Sequence, residues 1–284
     1  MRVWGTIILV GMALLGCDKF RGTPPPSEGG GFTLEDLSGR LLISRAGKGG
    51  DLGIFSLSLP DAELTLECDF YGSDEISPSG NGDVVVLSSD RSGDFGIYLC
   101  DGELIYDAPG EDGDASLSPS GNYVVFITRE MDEGGDVAIY DRLSRSLYVL
   151  YDDDTARDPW FRDDGEILVV RDGDVYVLLV DSLRYDKVVE AEGSISYPRL
   201  SPDGRTLAYA VDSDTPRVLL ATYPDMRDTR VLWRGDGPVL GLAWSPDGRF
   251  LAVGGGDGIT VMDTSGFTLK ILEGERVEVG SWIP

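Results

Sequence analysis

The sequence predicts an all-β fold, a six-bladed β-propeller of four-stranded antiparallel blades. Three observations predict it. A glycine-centred turn recurs at Gly39, Gly80, Gly121, Gly165, Gly204 and Gly248, at spacings of 41, 41, 44, 39 and 44 residues. The units between turns hold only short β-rich runs, and a repeat of roughly forty residues made of strands indicates propeller blades rather than a helical solenoid. No segment carries an amphipathic helical pattern.

The chain opens with "MRVWGTIILVGMALLGC": a basic Arg2, an apolar stretch from Val3 to Leu15, then Gly16-Cys17. The apolar run is shorter than the roughly 20 residues a spanning helix needs. It has the length and flanks of a secretory signal. Leu14-Leu15-Gly16-Cys17 resembles a bacterial lipobox, in which the cysteine is diacylated and becomes the mature N-terminus. Residues 1–16 are therefore expected to be a lipoprotein signal peptide. Residues 17–32, with Cys17 as the lipidation site, are expected to be a tether, because runs such as "TPPPSEGGG" form no regular element. Residues 33–284 remain for the propeller.

Within each repeat the order is constant. An apolar residue stands four before the glycine (Ile76, Leu117, Phe161, Leu200 or Trp244), and the turn follows. A second strand comes next, such as "VVVLSS", "YVVFIT" or "TLAYA". After a polar loop there is a third, such as "GIYLC", "VAIYD" or "GITVMD", and then a fourth, such as "SLYVLY" or "RVLWR". Their β-branched and aromatic residues suit half-buried pleated surfaces. In "SPDG" the proline fixes φ at the first corner, the Asp can bond the local backbone and the glycine supplies a positive φ. The recurring phrase is thus a hairpin device and carries no chemistry.

The end of the chain, "VEVGSWIP", resembles "PVLGLAWSP" and stops where another turn would come. Residues 276–283 are expected to supply the innermost strand of blade 1, with Trp282 matching Trp244, and so to close the ring without an open edge. The segment "FTLEDL" before Gly39 is a second candidate for that slot.

"WSPDGRFLAVGG" and "SSDRSGDFGIYLCDGE" resemble the repeat of TolB-type, WD40-like propellers, over roughly residues 37–284. The likeness is weaker in the first repeat, which lacks Ser-Pro, and in the fourth, which reads "FRDDG". It implies a propeller module that engages another envelope protein. Contact residues of that family are not carried over, since that would require matching residues. The family's additional α/β or hydrolase domain finds no counterpart in these residues.

Composition narrows the function. With 50 acidic and 24 basic residues the formal charge is −26, which repels phosphate backbones and argues against nucleic acid. The chain has no histidine, so Ser-His-Asp and Cys-His catalysis and histidine metal ligation are excluded. No G-x-S-x-G elbow occurs.

Candidate sites follow from residue types and their positions. Arg45 and Arg171 share one repeat position at the end of the second strand, and Arg129 lies two residues later, so all three are expected on one side, where they could read a partner's carboxylates. Asp51, Glu130 and Asp174 could instead balance them as surface pairs. Asp152, Asp154 and Asp158 in "YDDDTARD" form a weak Ca²⁺ candidate, since hard cations take several carboxylates, though the EF-hand glycine and distal glutamate are missing. "EDGDAS", with Asp112 and Asp114, is a weaker one. Cys68 and Cys100 are expected to stay unbridged. Their strand order puts them toward opposite faces, whereas a disulfide needs Cα atoms within about 7 Å and a five-residue strand spans roughly 17 Å.

The reading from sequence is a monomeric, membrane-anchored lipoprotein of the bacterial cell envelope that binds a protein or peptide, with no cofactor and no enzymatic activity. The alternatives are a hydrolase of envelope glycans or peptides working through paired carboxylates, or a structural propeller without a ligand.

Overall fold

The computed structural model describes residues 31–130, 134–150, 155–190 and 193–284. Its strands form six separate four-stranded antiparallel sheets arranged as the blades of a propeller. Blade 2, for example, runs from an inner strand, Glu75–Gly80, through Val85–Ser89 and Gly96–Leu99 to an outer strand, Leu104–Tyr106. Blades 3 to 6 repeat this order from inner strands Gly113–Leu117, Arg157–Asp163, Ser194–Leu200 and Val239–Trp244.

Blade 1 is assembled from both ends of the chain. Val277–Ile283 is its inner strand and pairs antiparallel with Gly39–Ala46, with Arg40 opposite Ile283. Leu52–Leu59 and Glu63–Cys68 complete the sheet. The competing segment before Gly39 takes another role. Leu34–Asp36 is a single 3₁₀ turn, and Asp36 accepts a hydrogen bond from the Thr33 N–H at 2.8 Å. Phe32 is buried against Phe250 and Phe267, with ring centroids 4.7 and 5.6 Å apart. The Trp282 indole N–H donates to the Ser38 carbonyl at 2.8 Å, so the two chain ends are bonded side to side.

The second and third strands are apolar on both sides because each blade is covered by a neighbour on either face. Val124, Val125, Phe126 and Ile127 are consecutive and all fully buried. The core is therefore a set of six clusters, one in each seam between blades. The seam between blades 6 and 1 is the largest, with 17 buried apolar residues, and there the ring closes. The cluster in the seam between blades 1 and 2 is far smaller, Ile54, Cys68, Leu87 and Tyr98, with the buried Leu42 beside Gly80.

Polar groups and a covalent bond take over in that poor seam. Glu75 is fully buried, and its carboxylate accepts hydrogen bonds from Ser73 Oγ (2.8 Å), Ser89 Oγ (2.9 Å) and the Phe70 N–H (3.2 Å). Cys68 and Cys100 form a disulfide with their Cα atoms 5.5 Å apart. This overturns the expectation of free thiols. That expectation placed the ends of all strands at the faces of the disc. Adjacent strands rotate by about 20–25°, so three steps accumulate roughly 60–75° by the outer strand. The outer strand of blade 1 thus runs around the rim, and its end meets the neighbouring blade instead of pointing to one face.

The recurring turn is built as its residues require, in three blades. Gly121, Gly204 and Gly248 have φ of +74°, +71° and +70°, and each donates its N–H to the serine three residues earlier at 2.8 Å. The serines have a second job: Ser118, Ser201 and Ser245 accept, through Oγ, the N–H of the residue five positions on. The phrase "SPSG" at 77–80 does not belong to this set. It lies within the inner strand of blade 2, and the turn comes afterwards, with the Asn81 N–H donating to the Val84 carbonyl at 3.3 Å. Gly80 is a glycine for packing reasons: a Cβ there would sit 2.7 Å from Leu42 Cδ1 of blade 1.

Candidate functional site

Every inner strand carries an irregularity at the same depth. The pairing register slips between Ile76 and Ser79, Gly113 and Ser116, Arg157 and Trp160, Ser196 and Arg199, and Val239 and Leu242. In blade 1 it slips opposite Val279 and Trp282. Such bulges bend a strand and re-aim its side chains. Four of them hold a non-glycine residue in the left-handed region: Ser77 (φ +52°), Asp114 (+53°), Asp158 (+50°) and Tyr197 (+51°). Strain of this kind costs about 1–3 kcal/mol per residue and persists only where the surroundings impose it.

The bulges direct Ser77, Asp114, Asp158, Tyr197, Arg199 and Glu278 toward the propeller axis, around a cavity of about 30 Å³. That is room for one or two waters. Backbone contact keeps the channel narrow on one side. A Cβ at Gly241 would lie 1.9 Å from the Val279 carbonyl oxygen, and one at Gly280 would lie 1.7 Å from the Pro78 carbonyl oxygen.

Three carboxylates face one guanidinium in this cavity. Glu278 accepts a hydrogen bond from Ser77 Oγ at 3.0 Å. Asp114 Oδ2 lies 3.5 Å from the Asp158 N–H. Arg199 is held by its own strand and the next, donating Nε to the Leu242 carbonyl at 3.1 Å and Nη1 to the Pro198 carbonyl at 3.0 Å. Its guanidinium carbon lies 5.8 Å from the Trp160 ring centroid, and the Trp244 indole bonds the Arg199 carbonyl at 3.1 Å.

Charge in so enclosed a space is expensive, and the proton affinities respond. Asp158 keeps some exposure to the channel but has protein on all sides. Its burial and the neighbouring Asp114 carboxylate push its pKa up to about 7, against the opposing pull of Arg199. Burial also raises Glu278, although the Ser77 N–H and O–H counter it in part. Tyr197 is raised by burial and then by the nearby carboxylates, and burial lowers Arg199. The cluster can hold a proton near neutral pH, order a water or two, or answer a charge brought to the channel mouth.

The residues singled out from sequence are distributed differently. Arg45, Arg129 and Arg171 stand on blades 1, 3 and 4, and none lines the channel cavity. Arg45 is buried, donates to Glu275 Oε2 at 2.9 Å and lies over Phe55 at 5.4 Å. Arg129 donates to the Glu111 carbonyl at 3.1 Å, and Arg171 lies over Tyr185 at 4.9 Å. Asp174 pairs with Lys187 at 2.6 Å. Of the calcium candidates, Asp152 and Asp154 lie outside the described residues, as does Cys17. Asp158 belongs to the channel, beside Asp114. Asp112 is fully buried and accepts the Ala108 N–H at 3.0 Å. Among the described residues no three acidic or thiol side chains converge as a metal site.

Tyr197, Arg199 and Glu278 were not picked out by sequence reasoning. The signal was present, however, because Ser77, Asp114, Asp158 and Tyr197 share one position when the inner strands are aligned. The turn glycines used for alignment hid it, since Gly80 is out of step with the others.

A larger hollow of about 320 Å³ lies at the rim of the seam between blades 1 and 2. Arg40, Glu67, Asp83, Asp101 and Arg142 surround a floor that includes Leu42 and Val85. Arg40 and Glu67 are 3.5 Å apart, and Arg142 donates to the Gly121 carbonyl.

Comparison with known proteins places the fold. The chain superposes on TolB from Acinetobacter baumannii with a TM-score of 0.74 and 18% identity, over 88% of this chain and 68% of that one. It superposes on a putative TolB from Agrobacterium tumefaciens with a TM-score of 0.61 and 13% identity, over 86% of this chain and 98% of that one. No protein-family model and no curated protein matches the sequence. The architecture is a TolB-like β-propeller.

Proposed function

We propose that this chain is a lipoprotein of the bacterial envelope, anchored through Cys17, whose propeller is a docking scaffold for a protein or peptide. The observation that carries the proposal is the character of the channel. It is narrowed on one side by backbone, holds a cavity of about 30 Å³ and has no room for a sugar ring or a peptide residue, whereas ligand pockets usually run to about 300–1,000 Å³; the hollow of about 320 Å³ between blades 1 and 2 shares no lining residue with it. What the propeller offers a partner is its loops and rims, fixed by six packed seams. The likeness in fold to TolB supports the same reading. The disulfide supports export, because such bonds persist in oxidising compartments. Lipidation would add proximity, raising the effective concentration of the module at one membrane face. Of the three arginines singled out from sequence, Arg129 and Arg171, at or just past the ends of second strands, would contribute contacts to a partner's carboxylates, whereas Arg45 is buried against Glu275 and would serve the blade itself.

The test is mild crosslinking in native membranes with the full chain, followed by mass spectrometry, compared with a soluble form that starts at Gly31 and so keeps Phe32. One recurrent envelope protein captured by both forms, with links clustered on one surface, is the expected result. No recurrent neighbour would remove the scaffold reading.

A second reading has one observation in its favour. Asp114 and Asp158 are adjacent carboxylates, and one has a pKa near 7, as a general acid would. Because the cavity beside them admits only a water or two, this reading requires the inner strands to part around a substrate, and hydrolysis of a glycan or peptide bond that disappears in Asp158→Asn would establish it.

A further inference from the structure

Outer strands are the exposed edges of a propeller, and such edges are usually kept from pairing by charge or by brevity. Five of the six follow that rule. Glu63 and Glu67 guard blade 1, and the outer strand of blade 2 is only the three residues Leu104–Tyr106. Arg184, Asp186 and Lys187 guard blade 4, Arg230 and Arg234 guard blade 5, and Lys270 and Glu273 guard blade 6. The outer strand of blade 3, Ser146–Leu150, reads "SLYVL" and has neither protection. It pairs with Asp136–Asp141 on one side, and its other side is a sheet edge.

Apolar surface gathers at the same place. Leu147 is 37% exposed, Tyr148 53%, and Leu143 in the preceding turn 79%. By the two-residue period of a strand, Leu147 and Val149 flank the edge on one face and Tyr148 and Leu150 on the other. A strand added outboard would meet apolar side chains above and below and would pair with the outward backbone groups of the edge strand.

We infer that Ser146–Leu150 is a docking edge that takes an extended apolar segment of a partner as a fifth strand of blade 3, with lysine or arginine flanking that segment. The cationic flanks follow from charge. The chain carries −26, and in sequence Arg142 and Arg145 precede the strand while Asp152, Asp153 and Asp154 follow it, so a second copy is repelled overall and a basic flank is attracted toward the strand's C-terminal end. Backbone pairing provides the affinity in this mode of recognition, and the side chains on the two faces provide the selectivity. The inference rests on the scaffold reading and names a surface for it.

The probe is a capped synthetic peptide with a short valine–threonine run between lysines, and its counterpart is the same run between glutamates. We expect the lysine-flanked peptide to bind, weakening as salt rises, and to slow amide hydrogen exchange at residues 146–150. The glutamate-flanked peptide should bind at least tenfold more weakly. Tyr148→Lys and Leu147→Lys place a charge on either face of a half-exposed strand, so both proteins should keep their thermal midpoint while peptide affinity falls at least tenfold. Binding that survives both substitutions, or exchange slowed elsewhere, would overturn the proposal. So would self-association of the wild-type chain in sedimentation that Tyr148→Lys abolishes, since the edge would then serve a second copy. The crosslinking experiment separates the two levels: a Tyr148→Lys protein that still captures the same envelope neighbour refutes the edge and leaves the scaffold reading intact.

Discussion

Replacing Cys68 and Cys100 together by serine should cost the protein several kilocalories. The bond closes a 32-residue separation, and the chain-entropy relation gives about 3.7 kcal/mol at 25 °C for a loop of that length. Here the loss falls on the seam least able to bear it, where a cluster of four buried apolar residues stands against one of 17 at the closing seam. For a domain of this size a loss of about 3.7 kcal/mol lowers the thermal midpoint by roughly 7–15 °C. The assay is equilibrium unfolding in urea, supported by thermal melts, for wild type and Cys68→Ser/Cys100→Ser with and without reductant. Reduced wild type should reproduce the double variant, and the variant should ignore reductant. A loss below about 1 kcal/mol would refute the reasoning. It would mean either that the unfolded chain is already compact across this loop or that the buried Glu75 network holds the seam alone.

Three further outcomes follow from the channel and the closure. Asp158 has a folded pKa of about 7, above its unfolded value of 3.8, so the folded state binds the extra proton between these values. Stability should therefore fall as pH rises from about 4 to 7, by at most about 1.4 kcal/mol per pH unit for this one group, and the slope should shrink in Asp158→Asn. A slope unchanged by that substitution would assign the proton to Glu278, Glu75 or Asp112, which burial also raises. Trp282→Ala removes a nearly buried indole and its bond to the Ser38 carbonyl, and it should cost about 3–5 kcal/mol in urea unfolding. Phe32→Ala should cost a similar amount, and a chain starting at Thr33 should match it. If both leave the midpoint unmoved, Phe32 adds nothing to the closing seam.

Much of the fold was legible because the blade is a local unit written several times. Strand content, blade number and the part played by Val277–Ile283 all follow from period, β-propensity and turn residues. Two features were not legible, for physical reasons. The Cys68–Cys100 bridge depends on twist accumulated across a sheet, and no pattern within a single strand encodes that angle. The channel cluster depends on bulges, which add one residue and shift the phase of alternation by one, a change that inner strands of five to seven residues are too short to reveal in sequence. Ser77-Pro78 looks the same in sequence as Ser118-Pro119, yet one is an inner-strand bulge and the other a turn. Asp158 was noticed for its acidic neighbours in sequence, whereas its partners in space are Asp114, Tyr197 and Arg199.

The pairing of Arg40 with Ile283 also fixes a sequence of events in time. These residues are 243 positions apart in sequence, so the ring cannot shut until almost the whole chain has been synthesised. Contacts of such long range carry a loop-closure cost, and they slow folding. Blades 2 to 6 can each form as their residues appear, but blade 1 waits with three strands for a fourth made last. A nascent chain is thus left open along one seam for most of its synthesis. A chain that loses even its final few residues, by a premature stop or by trimming, should remain in that open state and become prey to proteases.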